Sequence, residues 1–245
     1  MTAAGCVQRE EIRARLDTIR REVAAAAGRV GRSPDAVRIV AVTKTMTPAT
    51  VVAALAEGLF DIGENYVQEA AAKRRAVGPG GRWRLIGPLQ RNKARLAVAT
   101  FDTVDTVGGE ALAAALADEA EHAGRRLPVL VQVNVSGEAS KHGVAPDAVE
   151  RLVQTVTARP ALVLEGLMTI GRLGASPAET RRHFQTLRAL RDDVASRVGV
   201  EIPHLSMGMS DDFSIAVEEG ATLIRVGRAL LGPRGPGSWR EGQGS

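Results

Sequence analysis

At 245 residues, 44% hydrophobic and 24% charged, the chain has the balance of a globular protein with a sizeable core, which excludes disorder and collagen-like repeats. Lys and Arg exceed Asp and Glu by 32 to 28, a surplus of +4, and aromatic residues at 3% are too scarce to supply stacking platforms, so nucleic acid is not an expected partner. No stretch reaches the roughly 20 apolar residues of a membrane helix, the N-terminus turns charged at once and Cys6 stands alone, so neither a membrane protein nor a disulfide framework is expected and a cytoplasmic, reducing setting is.

Ile12, Leu16, Ile19 and Val23 recur at helical spacing among charged residues and predict an amphipathic helix over residues 7–31, stopped by Gly31 and Ser33-Pro34. Val37 to Val42 reads as a buried strand that ends at Thr43-Lys44, and Thr47-Pro48 opens the next helix. Further strands are predicted at 59–62, 83–86, 101–104, 128–134, 162–168, 203–205 and 222–225. Helices are predicted between them at 48–57, 65–76, 91–98, 109–123, 146–158, 178–197 and 211–219. Strict alternation calls for parallel strands joined by right-handed crossovers, and eight such units close into a single TIM-type (β/α)8 barrel with an additional N-terminal helix. An open doubly wound sheet is the alternative, but neither G-x-G-x-x-G nor G-x-x-x-x-G-K-[ST] is present to make it a nucleotide-binding one. Residues 1–232 then form one barrel domain, and 233–245 are expected to be a flexible tail.

In a barrel, chemistry gathers at the carboxyl ends of the strands. Those ends carry Lys44, Glu64-Asn65, Gln90-Arg91-Asn92, Asn134 with Ser136, Ser206 to Ser210, and Arg225 to Arg228. Taken singly, Asn65, Ser136 and Ser210 read equally well as helix caps, and Asp211-Asp212 as partners of a helix dipole. Lys44 differs, because a lysine directly after a buried β-branched run places its amine in the barrel mouth, short of water, where it suits condensation with an aldehyde. The loops Ser206-Met207-Gly208-Met209-Ser210 and Arg225-Val226-Gly227-Arg228 fall where barrels hold phosphate: glycines permit close backbone approach, hydroxyls and amides donate, and Arg228 adds charge at a helix start. A reactive lysine opposite a phosphate cup points to an aldehyde bearing a phosphate. Pyridoxal 5′-phosphate satisfies both requirements, and so does the substrate of a sugar-phosphate aldolase. His122, His142, His183 and His204 show no metal-site spacing, so no metal is expected, and His122 and His183 read as surface residues of helices.

Ala41-Val42-Thr43-Lys44, Gly63 to Glu69, Ile86 to Lys93, Val133 to Ser136 with Lys141 and Gly143, Gly166-Leu167-Met168, Leu205 to Asp211 and Arg225-Val226-Gly227 together resemble the pyridoxal phosphate homeostasis protein family over about residues 8–232. The resemblance implies a barrel like the N-terminal domain of alanine racemase, serving intracellular vitamin B6 homeostasis by holding pyridoxal 5′-phosphate and buffering it or delivering it to apo pyridoxal phosphate enzymes. It implies Lys44 as the Schiff-base lysine, Asn65 beside the cofactor, Ser206 and Gly227 at the phosphate, and Arg225 at the pyridine nitrogen. Gly208 and Arg228 complete the expected cofactor-binding set from the two loops. Two positions depart from the family pattern: Arg84 stands where many members have histidine in W-H-x-I-G, and Arg228 where many have threonine. Arginine at the pyridine nitrogen opposes ring protonation, and Tyr66 is the one tyrosine available as a second base, so no catalytic residue is assigned and a monomeric binding protein without substantial turnover is expected. An amino-acid racemase or related pyridoxal phosphate enzyme is the alternative.

Overall fold

The computed structural model describes residues 3–138, 142–172 and 174–233, so Lys141 and all of the expected tail after Pro233 lie outside the described residues. Eight strands, β1 (Arg38–Val42), β2 (Asp61–Glu64), β3 (Arg82–Leu85), β4 (Thr103–Val107), β5 (Leu127–Gln132), β6 (Leu162–Met168), β7 (His204–Ser206) and β8 (Leu223–Val226), pair in parallel in sequence order, and β8 closes on β1. The helices are α1 (Ala3–Arg29), α2 (Pro48–Ala56), α3 (Val67–Val77), α4 (Ala94–Thr100), α5 (Glu110–His122), α6 (Val149–Thr157), α7 (Pro177–Val198), α8 (Phe213–Glu218) and α9 (Arg228–Leu231). The fold is the expected eight-stranded barrel with an N-terminal helix, and not the open doubly wound sheet that the same alternation allowed.

Strand alternation divides the side chains into two populations. Outward residues such as Ala41, Ile62, Leu85, Leu167, Leu205 and Ile224 are fully buried in one apolar layer with the surrounding helices. Burial of a large aliphatic side chain is worth about 1.5–3 kcal/mol, and this layer is the bulk of the core. Inward residues form only a small apolar cluster, Val40, Leu130, Met168 and Leu223. The rest of the interior includes a charged group: Arg84 is wholly enclosed, pairs with both carboxylate oxygens of Asp105 (2.9 and 3.0 Å), and reaches Asp61 Oδ1 at 3.1 Å.

Paired buried charges, on either face of the barrel wall, explain where the strand boundaries shift. The apolar run at 59–62 reads as β2, but the strand extends to Glu64, whose buried carboxylate is paired; β4 continues through Asp105 and Thr106 for the same reason. The helix expected at 91–98 begins as a 3₁₀ turn at Arg91–Lys93. Along α1, Ile12, Leu16, Ile19 and Val23 are buried with Ala26 and Ala27, and the helix packs on α2, α8 and α9, covering the seam where the barrel closes. One surface assignment is corrected: His183 on α7 is half-buried, and its Nδ1 is enclosed with no hydrogen-bond partner among the described residues. Among the described residues, no helix is long and apolar enough to cross a membrane.

Candidate functional site

The carboxyl end of β1 adjoins β2 on one side and β8 on the other, so Lys44, Asn65 and Gly227 belong to neighbouring loops of the barrel mouth. Val40 faces the interior and Thr43 faces α3, which sends the half-buried Lys44 away from β1 on the interior side. The Thr43 amide still bonds to Gly63 O at 2.9 Å, extending the ladder almost to the lysine.

Beside β1, the adjoining β8 and β7 present a polar pair. Arg225 is buried, its Nη1 donates to Ser206 Oγ and its Nη2 to Thr169 O, both at 2.7 Å. Burial brings the guanidinium pKa down to about 10, against the opposing pull of Asp105 and Asp212, so it stays a cation at neutral pH. Ser206 Oγ accepts from Arg225 and keeps its own proton to donate.

Gly208 follows with φ of 91°, and a Cβ there would stand 2.5 Å from the Ala216 Cβ, so only glycine lets this loop lie on α8. The turn is fixed by the Met209 amide donating to Asp212 Oδ1 at 2.6 Å and by the Arg225 amide donating to Gly208 O at 3.0 Å. Burial pushes the Asp212 carboxyl above its usual range. A Cβ on Gly227 would make ordinary contact with the Val42 Cβ at 3.4 Å, which sets this glycine directly against the end of β1.

The alternative capping roles are removed by the geometry. Tyr66 precedes the first turn of α3, Asp212 precedes that of α8, and Ser136 Oγ donates to Asn134 Oδ1 and Glu138 Oε2 within a loop. Asn65 is half-buried with its main chain pressed against Gly87, where a Cβ would meet Asn65 O at 2.3 Å. Arg228 is exposed at the rim and pairs with the equally exposed Asp211 at 3.3 Å. The structure therefore gathers Lys44, Ser206, Gly208, Arg225 and Gly227 along the β7–β8–β1 end of the mouth, sets Asn65 beside them after β2, and leaves Arg228 outside.

Thr169 was missed, although a polar residue directly after the apolar end of β6 is the same signal that marked Lys44. Asp105 lies inside a strand, and Lys73 lies on a helix; their roles come from partners across the fold. The donor set fits a phosphorylated aldehyde: a primary amine after β1 and, after the adjoining β7 and β8, a hydroxyl, a guanidinium and two glycine-lined backbone turns.

Residues 14–235 match the family model described as alanine racemase, N-terminal domain. The chain is 40% identical over 231 residues to the pyridoxal phosphate homeostasis protein of Pseudomonas aeruginosa, covering 91% of this chain and 99% of that one. The chain belongs to the pyridoxal phosphate homeostasis protein family. A member from Vibrio alginolyticus is likewise 40% identical, over 83% of this chain and 89% of its own. The solved structure of PipY from Synechococcus elongatus PCC7942 with PLP bound matches at a TM-score of 0.80 and 34% identity, covering 90% of this chain and 99% of that one. Alanine racemase of Clostridium difficile 630 shares the fold alone, at 15% identity and a TM-score of 0.72 over 90% of this chain and 56% of that one. Arg84 is a buried ion-pair partner of Asp105 and Asp61 beneath the mouth.

Proposed function

We propose that this protein binds pyridoxal 5′-phosphate at the barrel mouth and serves vitamin B6 homeostasis in the cytoplasm, as a monomer that holds the cofactor and passes it to apo enzymes without substantial turnover. The observation that carries the reading is Lys44 at the end of β1 beside the buried Arg225–Ser206 pair of the adjoining β8 and β7. Lys44 supplies the amine for a Schiff base. Ser206, Gly208 and Gly227 offer a hydroxyl and close backbone to the phosphate, Asn65 flanks the ring, and Arg228 is the rim charge that exchanges its exposed pair with Asp211 for the incoming phosphate.

Pyridoxal 5′-phosphate supplies an aldehyde for condensation with amines and a ring that withdraws electrons strongly when its nitrogen is protonated. Arg225 turns a fixed cation toward that nitrogen where a carboxylic acid would favour protonation, which supports weak chemistry at the ring. Tyr66, the one tyrosine of the chain, is 56% exposed before the first turn of α3 instead of enclosed as a buried base would be, which supports the absence of a second base. The bound PLP in the PipY relative supports the choice of ligand.

The purified protein is expected to absorb in the visible, and borohydride followed by mass spectrometry to place the pyridoxyl adduct on Lys44. An adduct confined to Lys93 or Lys141 would reject the assignment. Prolonged incubation with L-alanine followed by chiral chromatography is expected to show no D-alanine above background; conversion at catalytic rates would move the protein among the racemases.

A further inference from the structure

Lys44 sits between two threonines, and both are gripped from outside the barrel by one buried cluster. The Thr43 hydroxyl donates to Glu64 Oε1 at 2.6 Å, and the Thr43 carbonyl accepts from Lys73 Nζ at 2.6 Å. The Thr45 amide donates to Glu69 Oε1 at 2.5 Å. The Lys73 side chain has no exposed surface, and its ammonium also meets Glu64 Oε1 at 2.8 Å and Glu69 Oε1 at 2.5 Å, so all three of its donors are committed.

Thr45 has φ of 63°, the only positive value for a non-glycine residue among the described residues. A β-branched residue in that region is strained and persists only where its surroundings over-determine it. Glu64 Oε2 and Thr45 Oγ1 are buried without a hydrogen-bond partner among the described residues, a further cost of this arrangement. As a source of stability such a cluster is poor, because well-packed apolar side chains serve a buried site as well or better. Its contacts fall on the residues on either side of Lys44, and that gives it a geometric use.

We infer that Glu64, Glu69 and Lys73 form the positioning device of Lys44, locking the peptides on both sides of it so that the amine enters the mouth in a single direction. The inference rests on the reading of Lys44 as the Schiff-base residue. Misplacement of a reacting group by about 1 Å costs on the order of a hundredfold in rate, so a loosened turn is expected to act on bond formation far more than on ligand binding.

The test compares the unaltered protein with Glu69→Ala, Glu69→Gln and Lys73→Met. Two properties are measured: the rate of Lys44 adduct formation with pyridoxal 5′-phosphate, trapped by borohydride, and the affinity for 4′-deoxypyridoxine 5′-phosphate, which keeps ring and phosphate but has no aldehyde. The ligand-free proteins are compared by hydrogen exchange at the Thr45 amide. Glu69→Ala and Lys73→Met are expected to slow adduct formation about tenfold or more and to speed Thr45 exchange, with affinity for the aldehyde-free analogue within about twofold. Glu69→Gln retains an acceptor for the Thr45 amide and is expected to fall between the alanine variant and the parent. Unchanged adduct formation in Glu69→Ala overturns the inference, and so does an equal loss of affinity for the analogue, which would mean general damage to the mouth. If Lys73→Met does not fold, the two Glu69 variants decide alone. A parent protein with no adduct on Lys44 overturns the underlying reading instead.

Discussion

Gly208 shows how much of the site depends on a missing atom. Alanine there would bring a methyl group to 2.5 Å from the Ala216 Cβ at a φ of 91°, so either the loop or α8 must move. Gly208→Ala is expected to cost about 1–3 kcal/mol of stability and, by displacing the Ser206–Ser210 turn, to weaken binding of phosphate-bearing ligands. Thermal unfolding and titration with 4′-deoxypyridoxine 5′-phosphate check both, and an unchanged affinity would mean that this loop does not hold the phosphate. At this scale the sequence was most informative where a polar residue ends an apolar strand, as Lys44, Ser206 and Arg225 do. It was silent on Glu69 and Lys73, because their side chains meet Thr43 and Thr45 only after α3 has packed on β1 and β2, and no local spacing encodes that meeting.

Among the elements, α1 adds ion pairs at both ends to its buried apolar face. Arg9 and Arg13 share Glu57 just beyond α2, and Arg29 shares Glu218 of α8 with Arg181 of α7, so two carboxylates tie the helix down at both ends. Hydrogen bonds from Arg13 and then Arg9 hold the Glu57 carboxyl below its usual range, and those from Arg181 and Arg29 do the same for Glu218. A carboxyl with a depressed folded pKa contributes stability above its unfolded pKa, about 4.3, and loses it as the pH falls through the folded value. The double variant Glu57→Gln, Glu218→Gln is therefore expected to melt below the parent at pH 7, with the gap closing toward pH 3 and shrinking in high salt. Melting curves separated by the same interval at every pH would rule this out. The helix itself was legible from Ile12, Leu16, Ile19 and Val23, whereas the ends of β2 and β4 were not. Buried Glu64 and Asp105 look like strand terminators until their partners Lys73 and Arg84 are in place.

For the whole molecule, alternation showed eight parallel units and the strand-end motifs favoured closure over an open sheet, but the filling was not readable. Layers of branched aliphatic side chains are the usual interior of this fold, and here they give way to a charged axis. Arg225 at the mouth feels Asp105, Asp105 is paired with Arg84, Arg84 reaches Asp61, and Asp61 lies 3.9 Å from Arg38 near the amino end of the barrel. The guanidinium of Arg84 is held above its ordinary pKa because Asp105 and Asp61 outweigh the effect of burial. Arg84→Met is expected to be strongly destabilising, by about 3–5 kcal/mol, since it leaves two buried carboxyls without their cation. Adding Asp105→Leu to it removes one of those orphans and is expected to restore much of the loss, because an apolar pair of similar volume needs no solvation. Denaturant unfolding of the two single variants and the double variant closes the cycle. Asp105→Leu alone also removes the carboxylate that most helps Arg225 to remain charged, so that variant is expected to weaken ligand binding at the mouth even though residue 105 does not touch it. If the single and double effects simply add, and binding by Asp105→Leu protein is unchanged, the interior charges are independent of one another and the axis has no bearing on the site above it.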